Sequence, residues 1–338
     1  MIIKRVKLTN FRSHSEYILE CKKKTSLILG ENGSGKTSVL EAIYETLQGK
    51  SFRAVDSEIL KRGADFYRVE TEFYDGEKII TVFDGKKSYL VQDKKTARLP
   101  RAKKYPVILF QPDDLHIVSS SPTKKREFFD SMIKNIDAGF ATKLARYNKA
   151  LIQRNVMLKK IENGELSNDE NVLFSLNMIL AQNGVTIRKK RQEFLKIINS
   201  QITDIYRSIA DNDDEIEIEY KVYKDEELDE SQYLAKMTAD FQRDLILGHT
   251  GYSVHRDSYE FLFNSKAADG SASRGETRTM VLALKFIEAK LVYEKTMKKP
   301  VVLLDDVFSE LDEKRQAALV KNFKENQVII TSVDGVEL

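Results

Sequence analysis

An α/β fold with a second, mainly helical lobe inserted into it is what this sequence predicts. Three observations predict it. A short apolar run, residues 25–29, ends in a glycine-rich stretch opening at Gly30; Val39, Ile43 and Leu47 then recur at helical spacing, so strand, loop and helix follow one another. A second apolar strand, residues 301–304, comes about 270 residues later and ends in Asp305 and Asp306. Between them, from about Asp113 to His249, the texture is that of long helices.

In chain order, strand-like alternation around Ile3, Val6 and Leu8 opens the sequence. Residues 68–73 and 78–83 flank Asp75-Gly76, a hairpin signal, and Asp84-Gly85 marks a further turn, so the chain to about Gln111 reads as a sheet-rich meander. Ser121-Pro122 marks a helix entry and the polar stretch 163–171 a helix–helix loop. Ile216, Ile218, Tyr220 and Val222 alternate as in a strand. From about Gly270 one long helix follows, with Met280, Leu284, Ile287 and Leu291 on one side; then come the 301–304 strand, a helix and a last strand at 328–331. The expected lobes are 1–112 plus 265–338, and 113–264. No repeat is present, and no heptad run is long enough for an extended coiled coil.

At 338 residues the chain buries enough surface to need no disulfide or structural metal. The one cysteine, Cys21, excludes a disulfide framework and reads as a small apolar residue. No apolar signal-peptide segment opens the chain and no apolar run approaches the ~20 residues of a membrane span, so a cytoplasmic protein without membrane partners is expected. Net charge is only +3, but it is unevenly placed. Lys86, Lys87, Lys94, Lys95, Arg98, Arg101, Lys103 and Lys104 lie within nineteen residues holding one acid, Asp93, whereas residues 211–230 carry eleven acids against Lys221 and Lys224. The basic run, Lys94, Lys95, Lys103 and Lys104 included, is either a polyanion-binding face or a solvated surface.

Gly30, Glu31, Asn32, Gly33, Ser34, Gly35, Lys36 and Thr37 fit G-x-x-x-x-G-K-[ST], and with Ser38 they form the expected nucleotide-binding set. The glycines let backbone N–H groups turn inward as an anion cradle at a helix start; Lys36 reaches the β- and γ-phosphates and Thr37 Oγ binds Mg²⁺. Four aliphatics ending in Asp305 deliver that carboxylate to the loop's edge as a second Mg²⁺ ligand. Asp306 is then either the general base for attack on the γ-phosphate or an acidic turn. Ser273, Arg274, Gly275 and Glu276 open the long helix; they form either a second anion site suited to a γ-phosphate or an ordinary helix cap.

Phosphate loop, insertion, Ser-Arg-Gly-Glu, Asp-Asp strand and Ser309-Glu-Leu-Asp312, in that order, resemble ABC-type ATPases of the chromosome-maintenance and repair branch. The resemblance implies that two copies of the chain sandwich two ATPs, each phosphate loop facing the other's serine-glycine signature. One copy of each motif per chain then implies a homodimer. It also implies that Asp312 belongs to a D-loop reaching across the dimer interface, and that Gln111 is the Q-loop glutamine, contributing to metal binding and catalysis. Within the branch the chain is similar to the bacterial RecF family of recombination mediators. That similarity rests on Leu8-Thr-Asn-Phe-Arg12, Leu40-Glu-Ala-Ile-Tyr44, Ser51-Phe-Arg53, Phe110 to Leu115, Ser121-Pro122 with Arg126 and Asp130, His255-Arg-Asp257, residues 273–288 and residues 304–312.

The RecF resemblance implies an ATP- and Mg²⁺-dependent protein of recombinational repair and replication restart. Its partners would be double-stranded DNA, single-/double-strand junctions and the mediators RecR and RecO, with weak, DNA-stimulated ATP hydrolysis. Arg12 is either the family's nucleotide-contacting arginine or a surface arginine, and His255 either a signalling or a structural histidine. Ser253-Val-His-Arg-Asp-Ser258 departs from the usual Gly-Pro-His-Arg-Asp-Asp, Glu276-Thr277 stand where glutamines are common, and no histidine follows the last strand up to Asp334 and beyond. The rival reading is the ATPase head of a defence or toxin system, whose usual nuclease domain does not follow Leu338; a membrane transporter component has no sign of membrane coupling.

Overall fold

A computed structural model describes residues 2–92, 94–165, 170–225 and 227–333, the side chains of Glu170, Asp225 and Ser309 excepted. Asp93, Asp334, part of the predicted 163–171 loop and part of the acidic run therefore lie outside the described residues, as does the Ser309 side chain. The chain divides into two compact units, residues 1–115 with 282–338, and residues 116–281.

The first unit begins with β1 (Ile3–Phe11), β2 (His14–Glu20) and β3 (Thr25–Leu29), then α1 (Lys36–Gln48) and the short α2 (Asp56–Ile59). It continues with β4 (Tyr67–Phe73), β5 (Lys78–Phe83), β6 (Lys87–Val91), β7 (Lys94–Thr96) and β8 (Val107–Phe110). The second unit holds α3 (Pro122–Ile136), α4 (Ala138–Glu162), α5 (Glu170–Asn199), α6 (Ile202–Ala210), β9 (Ile216–Lys221), α7 (Glu230–Ala239), α8 (Phe241–Leu247), β10 (Ser258–Phe263), β11 (Lys266–Ala267) and a helical turn, α9 (Ala268–Ser271). The long α10 (Arg274–Thr296) starts in the second unit and ends in the first, which closes with β12 (Val301–Asp305), α11 (Glu313–Phe323) and β13 (Val328–Ser332).

Two sheets build the first unit. One is antiparallel, in the order β2-β1-β4-β5-β6-β7. Its predicted hairpin is in place: Tyr67 pairs with Phe83 and Glu72 with Lys78, around Gly76 at φ 84°. The other is parallel, in the order β3-β13-β12-β8, and β12 and β13 are buried along their whole length, as a parallel strand covered on both faces must be. Helix α1 packs against strands of both sheets. Val39, Leu40, Ile43 and Leu47 are all but fully buried there, each contributing about 1.5–3 kcal/mol. The helix ends at Gly49, whose φ of 79° is the left-handed cap that L side chains resist.

The second unit combines helices with a small antiparallel sheet, β11-β10-β9. Ser121 caps α3 ahead of Pro122, as the Ser-Pro pair predicts, its side chain accepting from the Lys124 N–H. Residues 265–281, expected from sequence in the first lobe, cluster with this unit because β11 pairs with β10 and α9 packs on it. The core is not purely apolar. Arg154, Arg188 and Arg191 are buried and pair with Asp244, Asp257 and Asp130, the last two in bidentate fashion at 2.8–3.0 Å. Asp257 also accepts from the Tyr220 hydroxyl and the Tyr223 N–H, so the His-Arg-Asp segment is anchored by its aspartate. His255 contacts Ser253, and burial pushes its imidazole down to about 4, with Arg256 and Arg126 adding to the effect.

Candidate nucleotide site

Strand β3 runs into the phosphate loop because its neighbours in the parallel sheet fix its exit. The Gly30 N–H donates to the carbonyl of Ser332 at the end of β13. The loop turns through Gly33 and Gly35 at φ 83° and 93°. At Gly35 the φ disfavours any side chain, and a Cβ would lie 2.4 Å from His14 Nε2, so His14 would have to move as well. His14 Nε2 sits 3.1 Å from the Gly35 carbonyl and braces the loop from β2.

Lys36, the first residue of α1, is buried and donates to the carbonyls of Gly30 at 2.7 Å and Glu31 at 3.1 Å. Its ammonium is 3.8 Å from Asp306 Oδ1. Glu31, Asn32, Gly33 and Ser34 form the exposed rim, where the Ser34 N–H donates to the Glu31 carbonyl. Thr37 Oγ1 donates to Asp305 Oδ1 at 2.8 Å, and Thr331 Oγ1 is 3.1 Å from the same oxygen while accepting from the Asp306 N–H. Burial pushes the Asp305 carboxyl above the usual range against the pull of both hydroxyls, with Asp306 adding to the rise. A buried carboxylate so placed gains most from a cation. Asp306 turns the chain at φ 50°, a conformation aspartate tolerates better than most residues, and this carries its carboxylate to the Lys36 side of the strand end.

Gln111 follows β8 directly. Phe110 is in register with Leu304, so Gln111 and Asp305 stand at neighbouring strand ends, and the Gln111 N–H donates to Asp114. Asp312 caps α11, accepting from the Arg315 N–H and pairing with the Arg315 side chain. Arg12, at φ 54°, is no free surface arginine: it grips Glu41 through Nε and Nη2 at 2.9 and 2.8 Å and donates to the Glu58 carbonyl.

The same buried Glu41 takes Arg53 Nε at 2.9 Å and Ser51 Oγ at 2.6 Å, while Arg53 Nη2 reaches Ser38 Oγ at 3.2 Å. Burial alone would raise Glu41, but Arg12, Ser51 and Arg53 hold it below its usual range. Two arginines on one carboxylate leave a net positive charge beside Ser38 and the phosphate loop. Sequence reasoning gives Arg53, Glu41 and Thr331 no role. The signal for Arg53 is the Ser51-Phe-Arg53 segment itself, which follows the glycine that ends α1.

In the second unit, Ser273 and Glu276 satisfy each other: Glu276 N–H donates to Ser273 Oγ at 3.3 Å and Ser273 N–H to the Glu276 carboxylate at 2.6 Å. This is a capping box, and it fixes the start of the helix on which Arg274 and Gly275 are the first residues. Lys94 and Lys95 are exposed on β7, an edge strand of the antiparallel sheet, and Lys104 is exposed nearby in the chain. Lys103 is paired with Glu77, and Lys87 turns inward to Glu45 and Asp56.

The profile of the AAA domain family matches residues 5–247. The chain is 34% identical over 354 residues to the DNA replication and repair protein RecF of Bacillus cereus strain AH820, and equally to that of Bacillus anthracis strain CDC 684, covering 100% of this chain and 94% of each relative. The chain belongs to the RecF family. A solved structure of the recombination mediator protein RecF with ATP, in the RecFOR pathway, superposes on it with a TM-score of 0.85 at 29% identity, covering 100% of this chain and 93% of that one. A head domain of Smc bound to the C-terminal winged-helix domain of ScpA matches at a TM-score of 0.53 and 16% identity, which speaks for the fold alone. The fold is thus that of an ABC-type ATPase with an inserted lobe, and the family that of DNA replication and repair proteins. The defence-system reading finds no support. Among the described residues no helix is long and apolar enough to cross a membrane.

Proposed function

We propose that this chain is an ATP-binding, Mg²⁺-dependent clamp of recombinational repair and replication restart in the cytoplasm. ATP binding joins two copies around duplex DNA near gaps and single-/double-strand junctions, where the dimer helps RecR and RecO load recombinase. Slow hydrolysis, stimulated by DNA, reopens it. The observation that carries the reading is the convergence of Lys36, Thr37, Asp305 and Asp306 at one end of the parallel sheet, where β13 lies between β3 and β12, in a chain with one Ser-Arg-Gly-Glu helix start. The fold of ATP-bound RecF supports it.

Thr37 Oγ1, Asp305 and the Gln111 side chain offer hard oxygen donors, the set Mg²⁺ prefers, and the raised Asp305 fits a resident cation. Bound there, Mg²⁺ would neutralise charge on the β- and γ-phosphates. Lys36 holds those phosphates, and Asp306 takes the proton of, or orients, the attacking water. Ser273 and Gly275 of the second copy complete the site, with Arg274, Glu276 and Asp312 beside it, and Arg12 bears on the nucleotide through the Glu41 cluster. DNA is held through its phosphates, Lys94, Lys95, Lys103 and Lys104 contributing, so affinity falls with salt.

Gel filtration tests this directly. The protein should elute as a monomer alone and as a dimer with ATP and Mg²⁺, and a DNA duplex with a single-stranded gap should travel with the dimer. An elution volume that ATP leaves unchanged, with or without DNA, would overturn the clamp.

A further inference from the structure

The parallel sheet has a second end, opposite the phosphate loop, and it is strongly basic. Strands β3, β12 and β13 all start there, and the turns that feed them place Lys23, Lys24, Lys298, Lys299 and Lys324 around one cavity of about 600 Å³ with a single acid, Glu325. The strands are five residues long, roughly 17 Å at about 3.3 Å per residue, so the cavity is separate from the nucleotide site.

Like charges repel, so such convergence must be imposed by the backbone, and here it is. Gln327 is buried and staples β1 and the lysine turn together, accepting from the Ile3 N–H at 2.8 Å and donating to the carbonyls of Ile3 and Lys22. Asn326 donates to the Pro300 carbonyl at 2.8 Å, and the Val328 N–H to that of Lys24. Glu325 offsets one charge: Lys299 pairs with it at 3.0 Å, and Lys299, Lys24 and Lys324 hold its carboxyl below the usual range. The turns that carry the lysines are thus fixed, so an anion that binds has only side chains to order.

We propose that this cavity is a docking site for an acidic segment of a partner protein that carries an apolar anchor residue. Five lysines against one glutamate supply the charge complementarity. The lip supplies the apolar contact: Met297 is 74% exposed and Ile2 39% exposed, both lining the cavity. An exposed methionine is an adaptable surface for an apolar side chain. Nucleic acid fits less well. A phosphate backbone gains nothing from the apolar lip, and single strands are gripped by exposed aromatic faces, whereas the aromatic ring in the lining, Tyr105, is 8% exposed and already covered by Lys298 at 5.6 Å.

The test uses the full-length protein and three labelled probes matched in charge: a synthetic peptide alternating glutamate with leucine, polyglutamate, and single-stranded oligothymidylate. Fluorescence anisotropy should show the leucine-containing peptide binding tightest. Combined Lys24→Glu, Lys298→Glu and Lys324→Glu should weaken it about ten-fold or more. Met297→Ser should weaken the peptide several-fold and leave polyglutamate unchanged. ATP binding by the same variants, which should be normal, guards against misfolding. The proposal is overturned if the peptide binds no better than polyglutamate, if charge reversal leaves its affinity unchanged, or if the reversal weakens the oligonucleotide instead.

Discussion

Asp305 shows how a single side chain can work against the stability of its own fold. Burial raises its pKa, so the folded protein is most stable with Asp305 protonated and loses that contribution as pH rises through the raised value. Asp305→Asn keeps an acceptor for Thr37 and removes the cost. Without Mg²⁺ the variant should melt higher than wild type at neutral pH, and the gain should fade as pH falls towards the usual carboxylate value of about 3.9. Scanning calorimetry across pH, with Mg²⁺ and ATP then added, checks both halves: only wild type should gain stability from the metal. A variant melting lower than wild type at neutral pH would show that the ionised carboxylate is well compensated. Asp306, one residue on, is proposed to act differently. Asp306→Asn should bind ATP as wild type does and hydrolyse it about 10²–10⁴-fold more slowly. Hydrolysis at the wild-type rate would reduce it to a turn residue. The residues legible in the sequence are those whose chemistry is tied to a fixed spacing: the glycines, Lys36 and Thr37, and the aspartates after four aliphatics. Glu41 is not legible, because a glutamate inside a helix reads as a solvent-facing residue. Only the tertiary placement of Arg12 and Arg53 makes its burial tolerable.

At the scale of elements, β12 and β13 can be read almost to the residue, since parallel strands covered on both faces are largely continuous apolar runs. The order of the antiparallel sheet cannot, because pairing partners leave no mark on a single strand beyond adjacent hairpins. Nor can the buried arginines of α4 and α5, since each is neutralised by an aspartate far along the chain. The basic run shows what pairing does to a charge count. Lys87 and Lys103 are engaged by carboxylates, whereas Lys86, Lys94, Lys95, Arg98, Arg101 and Lys104 are exposed, Lys94 and Lys95 on the edge strand β7. Reversing Lys94, Lys95 and Lys104 to glutamate should lower DNA affinity and flatten its dependence on salt, by about one unit of slope for each DNA phosphate no longer neutralised. Lys103→Glu alone should do less, because Glu77 already holds that ammonium. ATP affinity should be unaffected. Filter binding over a range of salt measures all of this, and an unchanged slope would mean that the lysines are a solvated edge.

At the scale of the whole molecule, the question is why one chain carries a phosphate loop in one compact unit and a serine-glycine helix start in the other. Lys36, Thr37 and Asp305 converge within one unit, so the near face of a nucleotide is provided for by one chain. Ser273 Oγ and the Gly275 N–H sit at the first turn of a long helix, where the dipole favours an anion. In the proposed homodimer the anion they would meet is the γ-phosphate held by the partner. Ser273→Arg should therefore bind ATP nearly normally and fail to dimerise on it, since the long side chain fills the space of the incoming phosphate. The lost helix cap costs only about 1 kcal/mol, too little to unfold the chain, and circular dichroism would verify that. Lys36→Ala should fail in the opposite way, by losing the cation that holds the β- and γ-phosphates. Mixing the two proteins separates a composite site from two independent defects. Each variant alone lacks one half of every site, but a mixed dimer contains one site with a wild-type Lys36 facing a wild-type Ser273. ATPase activity should return in the mixture, rising with the fraction of mixed dimers, if one complete site suffices. A mixture as inactive as its components, together with Ser273→Arg protein that dimerises normally on ATP, would show that each chain hydrolyses ATP without its partner's serine.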